Sequence, residues 1–194
     1  MQDIVSQARK NGMISTGIDL FLAALPVVLM AIDFVFEGIP GYPYNIVIIG
    51  GIFIALICFS VIYRLRALRK ISKLSGIKAA ALYRNCVIVC ICVIAITSIF
   101  LSIPLSISHK HLAMILCILI AFAGAIYIIV AWFCINFALA RVSGVGIFET
   151  YVWLCVILFP LNALYHLIFP ITLTITSIVH LLAWSKIEKI SANV

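Results

Sequence analysis

The sequence predicts an all-α integral membrane protein, a single bundle (residues 1–194) of about six transmembrane helices with both termini cytoplasmic. Three observations carry that reading. First, 66% of its 194 residues are hydrophobic and 10% are charged, where a soluble domain is about 45–50% apolar and about 25% charged. A soluble globule of this length would expose about 9,000 Å². The 13 basic and 6 acidic residues are too few to keep that surface free of large apolar patches. Second, apolar stretches recur at the length of about 20 residues that a helix needs to cross a bilayer. Third, the charges are sorted by place: no acid occurs between Glu37 and Glu149, while basic residues crowd Arg64 to Arg84.

The first span is expected from about Ile14 to Phe36, after a polar N-terminus. It contains Asp19 and has no A-x-A-type cleavage site, so it reads as a retained signal anchor. The turn Glu37–Tyr44, with two prolines and two glycines, reverses the chain. The second span is Asn45 to Tyr63, the third about Cys86 to Ser108, and the fourth Leu112 to about Ala140. Only His109, Lys110 and His111 separate the third from the fourth, which predicts a tight hairpin. The apolar stretch 148–184 is too long for one span and barely enough for two. Pro160, Asn162, His166 and Pro170 interrupt it. Two short helices split near Tyr165–Pro170 are expected; the alternative is one span plus a re-entrant segment.

Charge asymmetry arbitrates, because loops rich in Lys and Arg stay on the cytoplasmic side. Six spans place every basic residue except Lys110 inside. Five spans would move Lys186 and Lys189 outside. The connection 64–85 is expected as a cytoplasmic basic amphipathic helix. Ala67, Leu68, Ile71 and Leu74 share one face, Arg66, Arg69, Lys70 and Lys73 the other, and Gly76 breaks it. Such a helix lies on an anionic inner leaflet, at about 1 kcal/mol per basic residue, or offers a docking surface to a soluble partner. Nucleic acid is not expected, since only Tyr83 in this stretch could stack on a base.

The seven cysteines (Cys58, Cys86, Cys90, Cys92, Cys117, Cys134, Cys155) include no C-x₂-C pair, so neither metal nor redox chemistry is signalled. No nucleophile elbow, zinc-protease, P-loop or dinucleotide motif occurs. The sequence therefore predicts a non-catalytic protein without cofactor. The missing N-x-S/T sequon and short loops favour a bacterial inner membrane.

Two sets of residues stand out. One is a ridge of small side chains at four-residue spacing: Cys86, Cys90, Ser98, Ser102 and Ser106 on the third span, and Ala113, Cys117, Ala121 and Ala125 beside Gly124 on the fourth. Small residues let helices approach closely in lipid. The ridge would pack the hairpin itself or dock a partner's helix. The other set is polar. Asp19 and Asp33 lie on one side of the first span, about 21 Å apart along its axis, and ionisable groups inside a membrane face the bundle interior or water. Depth suggests Asp19 paired with His180, and Asp33 with His166 or Lys110. Thr172, Thr176 and His180 continue a four-residue polar stripe toward Trp184.

Two functions follow as expectations. The first is a membrane interaction protein (a complex subunit, exclusion or immunity type) that contacts another membrane protein, or a second copy, through its helices. The alternative is a small-solute or proton-linked transporter or channel using Asp19, Asp33 and His180 with the threonine stripe.

Overall fold

A computed structural model of the chain describes residues 2–35, 42–102, 107–164 and 169–191. Side-chain surroundings are described outside 25–35, 42–50, 101, 107–110, 159–164 and 169–170. Six helices account for nearly all of it: α1 (Gln2–Val35), α2 (Tyr42–Ser75), α3 (Ala79–Ser102), α4 (Ile107–Ser143), α5 (Ile147–Leu164) and α6 (Phe169–Ser185). There is no strand among the described residues. Three helices hold segments long and apolar enough to cross a membrane: Gly51–Ser75, Ala79–Phe100 and His111–Ser143. The apolar pieces of α5 and α6 are shorter, Ile147–Leu158 and Ile171–Ser185.

The helices outrun the apolar segments that announced them. Helix α1 starts at Gln2, twelve residues before the expected Ile14. Helix α2 runs through Tyr63 without a break to Ser75. Hydropathy marks where a chain can enter lipid; hydrogen bonding and breakers mark where a helix ends. No breaker follows Tyr63 until Gly76, which adopts φ 77°. Its N–H bonds the Ser72 carbonyl at 3.0 Å, a left-handed C-terminal stop that suits glycine. Gly144 takes the same left-handed conformation, φ 68°, just after α4. Helices α1 and α2 have 34 residues each, or about 51 Å. That exceeds a hydrocarbon core of about 30 Å by several turns.

Packing follows chain order around a closed ring: α1 on α2, α2 on α3, α3 on α4, α4 on α5, α5 on α6, and α6 back on α1. Consecutive helices run up and down, so one end of the ring collects the start of each odd helix and the end of each even one. The main apolar core lies at that end, which we call the head. Val5 and Ala8 come from α1, Leu68 and Ile71 from α2, Ala79 from α3, Leu139 and Val142 from α4, Phe148 from α5, and Ala183 and Trp184 from α6. Ile187 follows α6 into the same core, and the Ser191 N–H bonds the Val142 carbonyl at 2.8 Å. Both ends of the described chain thus pack into the head.

The stretch 64–85, expected as a basic amphipathic helix, is built from the end of α2 and the start of α3. The division into apolar and basic faces is present, but Ala67, Leu68 and Ile71 are at most 1% exposed because the head core covers them. Protein takes the place proposed for lipid. The basic face is outward: Arg66, Arg69 and Lys73 are exposed, and Arg66 lies over the Tyr63 ring at 5.6 Å. Lys70 donates to the Gln7 side-chain oxygen of α1.

Away from the head the ring is thinly packed. Across an 18-residue apolar stretch only 11% is buried in α3 and 17% in α4. The whole chain exposes 12679 Å², well above the soluble-globule figure of about 9,000 Å².

Candidate functional site

The polar residues gather where the head meets the apolar part of the ring, in two linked groups. The first joins α1 to α2. Ser15, Thr16 and Asp19 lie on one face of α1, opposite Ser60 and Arg64, themselves one turn apart on α2. Ser15 and Thr16 are 0% exposed, so their hydroxyls need partners within the protein. Thr16 donates to the Gly12 carbonyl at 3.0 Å. Ser60 has a single hydroxyl hydrogen and gives it to the Asp19 carboxylate. The Ser15 hydroxyl, 3.0 Å from that of Ser60, then donates to it. Arg64 closes the group as a salt bridge to the other Asp19 oxygen. It also lies 3.5 Å from the Thr16 hydroxyl. The pair is mutually neutral and only part-exposed, at 18% for Arg64 and 31% for Asp19.

The second group ties α6 to its neighbours. The Trp184 indole N–H donates to His180 Nε2 at 3.2 Å, one turn along the same helix. An indole nitrogen only donates, so His180 Nε2 must carry a lone pair. The imidazole is therefore neutral, with its hydrogen on Nδ1. His180 stacks on Tyr151 of α5, 4.3 Å between centroids with planes 2° apart. Tyr151 meets Trp132 of α4 edge-on at 5.2 Å, and Phe148 meets Trp184 edge-on at 5.6 Å. On its other side Trp184 covers α1 at Gly12. A Cβ there would fall 2.0 Å from an indole carbon, so only glycine lets α1 and α6 approach this closely.

Between the two groups is a cavity of about 20 Å³, lined by Arg64, Leu68, Tyr83, Trp132, Ile135, Asn136, Leu139, His180 and Trp184. Four helices of the ring contribute to it.

The expected Asp19–His180 pair does not form. Asp19 is taken by Arg64 and Ser60, and His180 by Trp184 and Tyr151. Depth alone misled: α6 does adjoin α1, but Asp19 is on the face of α1 turned to α2, where Ser60 and Arg64 hold it. Counting equal distances back from the turn at 37–44 sets Asp19 opposite about 60–64, a signal that would have found Arg64. His166 and Ser106 lie outside the described residues, and the side chains of Asp33 and Lys110 outside those whose surroundings are described. Thr172 and Thr176 are buried, at 4% and 8% exposed, and the Thr176 hydroxyl donates to the Thr172 carbonyl at 2.9 Å. That back-bonding within α6 uses the hydroxyl locally. Tyr151, Trp132 and Asn136 were not singled out by the sequence, since aromatic and amide residues in an apolar run carry no spacing of their own.

The small-residue ridge also divides. On α4, Ala113, Cys117 and Gly124 are buried and Ala121 is half-buried, but Ala125 is exposed. On α3, Ser98 and Ser102 are exposed, as is Cys90. The α3 side of the contact follows a lane through Val89 and Val93. Gly124 meets this lane: a Cβ there would lie 2.8 Å from Val93 Cγ2. The reason is geometric. A step of four residues turns about 40° past a full circle, so a row held at four drifts around the helix and leaves the seam.

Among the described residues no group of three or more His, Cys, Asp or Glu gathers to hold a metal. No family model, curated protein or solved structure matches this chain.

Proposed function

We propose that the protein is a non-catalytic membrane interaction subunit. Its head would act as a rigid base, and the α3–α4 hairpin would present helix surface to another membrane protein or to a second copy. The observation that carries this reading is the outward side of α3. Ser98 and Ser102 are exposed, and the Ser102 hydroxyl bonds the Ser98 carbonyl at 2.7 Å. Small side chains with their polarity turned inward give a surface that a second helix can approach closely, and α4 does not use it. Further support comes from the exposed basic face, Arg66, Arg69 and Lys73, which suits an anionic inner leaflet. It would set the head, and with it both termini, on the cytoplasmic side of a bacterial inner membrane, with six crossings.

A transport reading draws on the cavity inside the ring, which Arg64, Asn136 and His180 line. It has less behind it. Asp19 is held by Arg64 and Ser60, and the Thr176 hydroxyl is spent within its own helix.

In-membrane photo-crosslinking tests the proposal. A photoreactive residue at Ile94 on α3 or Ile118 on α4, both 59% exposed, should give a protein adduct at native expression. The same probe at Leu68, 1% exposed, should not. Ser98→Leu and Ser102→Leu should remove the adduct and leave thermal stability unchanged. Adducts to lipid alone from both outward positions would refute the interaction reading.

A further inference from the structure

We propose that the cavity inside the ring is the site of one internal water molecule that bridges Arg64 on α2 to Asn136 on α4. Two atoms carry the inference. Among the described residues, Arg64 Nε and Asn136 Oδ1 are the buried side-chain polar atoms without a hydrogen-bond partner, and both residues line this cavity. Asn136 is 2% exposed, and its amide nitrogen donates to the Trp132 carbonyl at 2.9 Å. That bond identifies which end of the amide is oxygen. One orphan is therefore a donor and the other an acceptor. A buried polar group left without a partner is costly, and natural proteins satisfy it with protein or ordered water.

The occupant's chemistry follows by elimination. An anion has no unbalanced charge to meet, because Asp19 already neutralises Arg64. A cation would face the guanidinium. What fits is a neutral molecule that accepts from Arg64 Nε–H and donates to Asn136 Oδ1. The cavity measures about 20 Å³, and a water needs about 10–15 Å³ by this measure, so the space suits one water. Buried waters make about three hydrogen bonds. Tyr83 lines the same space, and its hydroxyl can give or take the third. Helices α2 and α4 are not adjacent in the ring, so the water extends the Ser15–Ser60–Asp19–Arg64 chain across it and pins α4 to the α1–α2 pair.

A crystal structure of the full chain in a lipid mesophase, at a resolution that shows ordered water, tests this directly. One density peak within hydrogen-bond distance of both atoms is expected. An empty cavity, a direct Arg64–Asn136 bond, or density larger than one water overturns the proposal. Thermal unfolding of two variants gives a second readout. Asn136→Leu removes the acceptor and fills the space, leaving Arg64 Nε–H unpaired, and should lower Tm. Asn136→Ser keeps an oxygen and leaves room for water, and should retain more of the wild-type Tm. The reverse order would show that the cavity prefers to be apolar and dry.

Discussion

The two ends of the ring are built on different terms. At the head, six helices share one core, and Trp184, Phe148, Leu68 and Ile71 are at most 1% exposed. Toward the other end, α3 and α4 touch along a single seam and turn Ile91, Ile94, Ile118 and Phe122 outward at about 60% exposure. Both regions are rich in isoleucine and leucine, so hydrophobicity alone does not separate them. On the membrane placement proposed above, the surrounding medium does. Water drives apolar side chains together, whereas lipid tails are as apolar as leucine and leave only shape and hydrogen bonding to hold helices. A protein whose helices continue past the bilayer can place its stability in the continuation and keep its lipid-facing surface free for other contacts.

Substitutions should separate the ends sharply. The largest effect is expected from Trp184→Ala, which opens the head core and the α1–α6 contact. It should cost about 3–5 kcal/mol, read as a fall in Tm in mild detergent. Gly12→Ala comes next, because its methyl would overlap the indole ring. Overpacking of this kind costs about 1–3 kcal/mol, at the upper end here since both groups sit on helix backbones. Arg64→Met leaves Asp19 without its partner and should cost about 2 kcal/mol, allowing for the partial exposure of the pair. Combining it with Asp19→Leu should recover much of that loss; a double variant no better than the single would show that the pair is not the source. On the seam, Gly124→Ala should cost about 1 kcal/mol, because the Val93 methyl it meets can shift. Ser98→Leu, on the outward side of the same hairpin, should change Tm by less than about 0.5 kcal/mol equivalent. If the two hairpin variants were equally harmful, the seam would not follow the lane through Val89 and Val93.

Much of the architecture is legible in the sequence, because it depends on composition along the chain. Apolar length announced the helices, the glycine after Ser75 marked where α2 stops, and the Pro/Asn/His cluster foretold a division between α5 and α6. The face carrying Ala67, Leu68 and Ile71 was also legible; what covers it was not. A helix face shows that it will be buried but cannot say whether lipid or protein buries it. Pairing was the least legible. Asp19 could be matched to His180 by depth, yet α1 has two neighbours in the ring, α2 and α6, and depth does not say which of them the Asp19 face meets. Asn136 illustrates the limit of pattern: one amide in an apolar run becomes informative only when its nitrogen is seen committed and its oxygen free.

The seam between α1 and α6 has a consequence for biosynthesis. Helix α1 leaves the ribosome well before α6 and rests finally against it, through a glycine that the Trp184 indole covers. Until α6 has been made, the α1 surface around Gly12 stays open, and the head cannot close. Domains otherwise tend to fold from the N-terminus during synthesis, but here closure of the head waits for α6. A nascent chain halted before Trp184 should remain susceptible to protease in the head, however many of its helices had already entered the membrane.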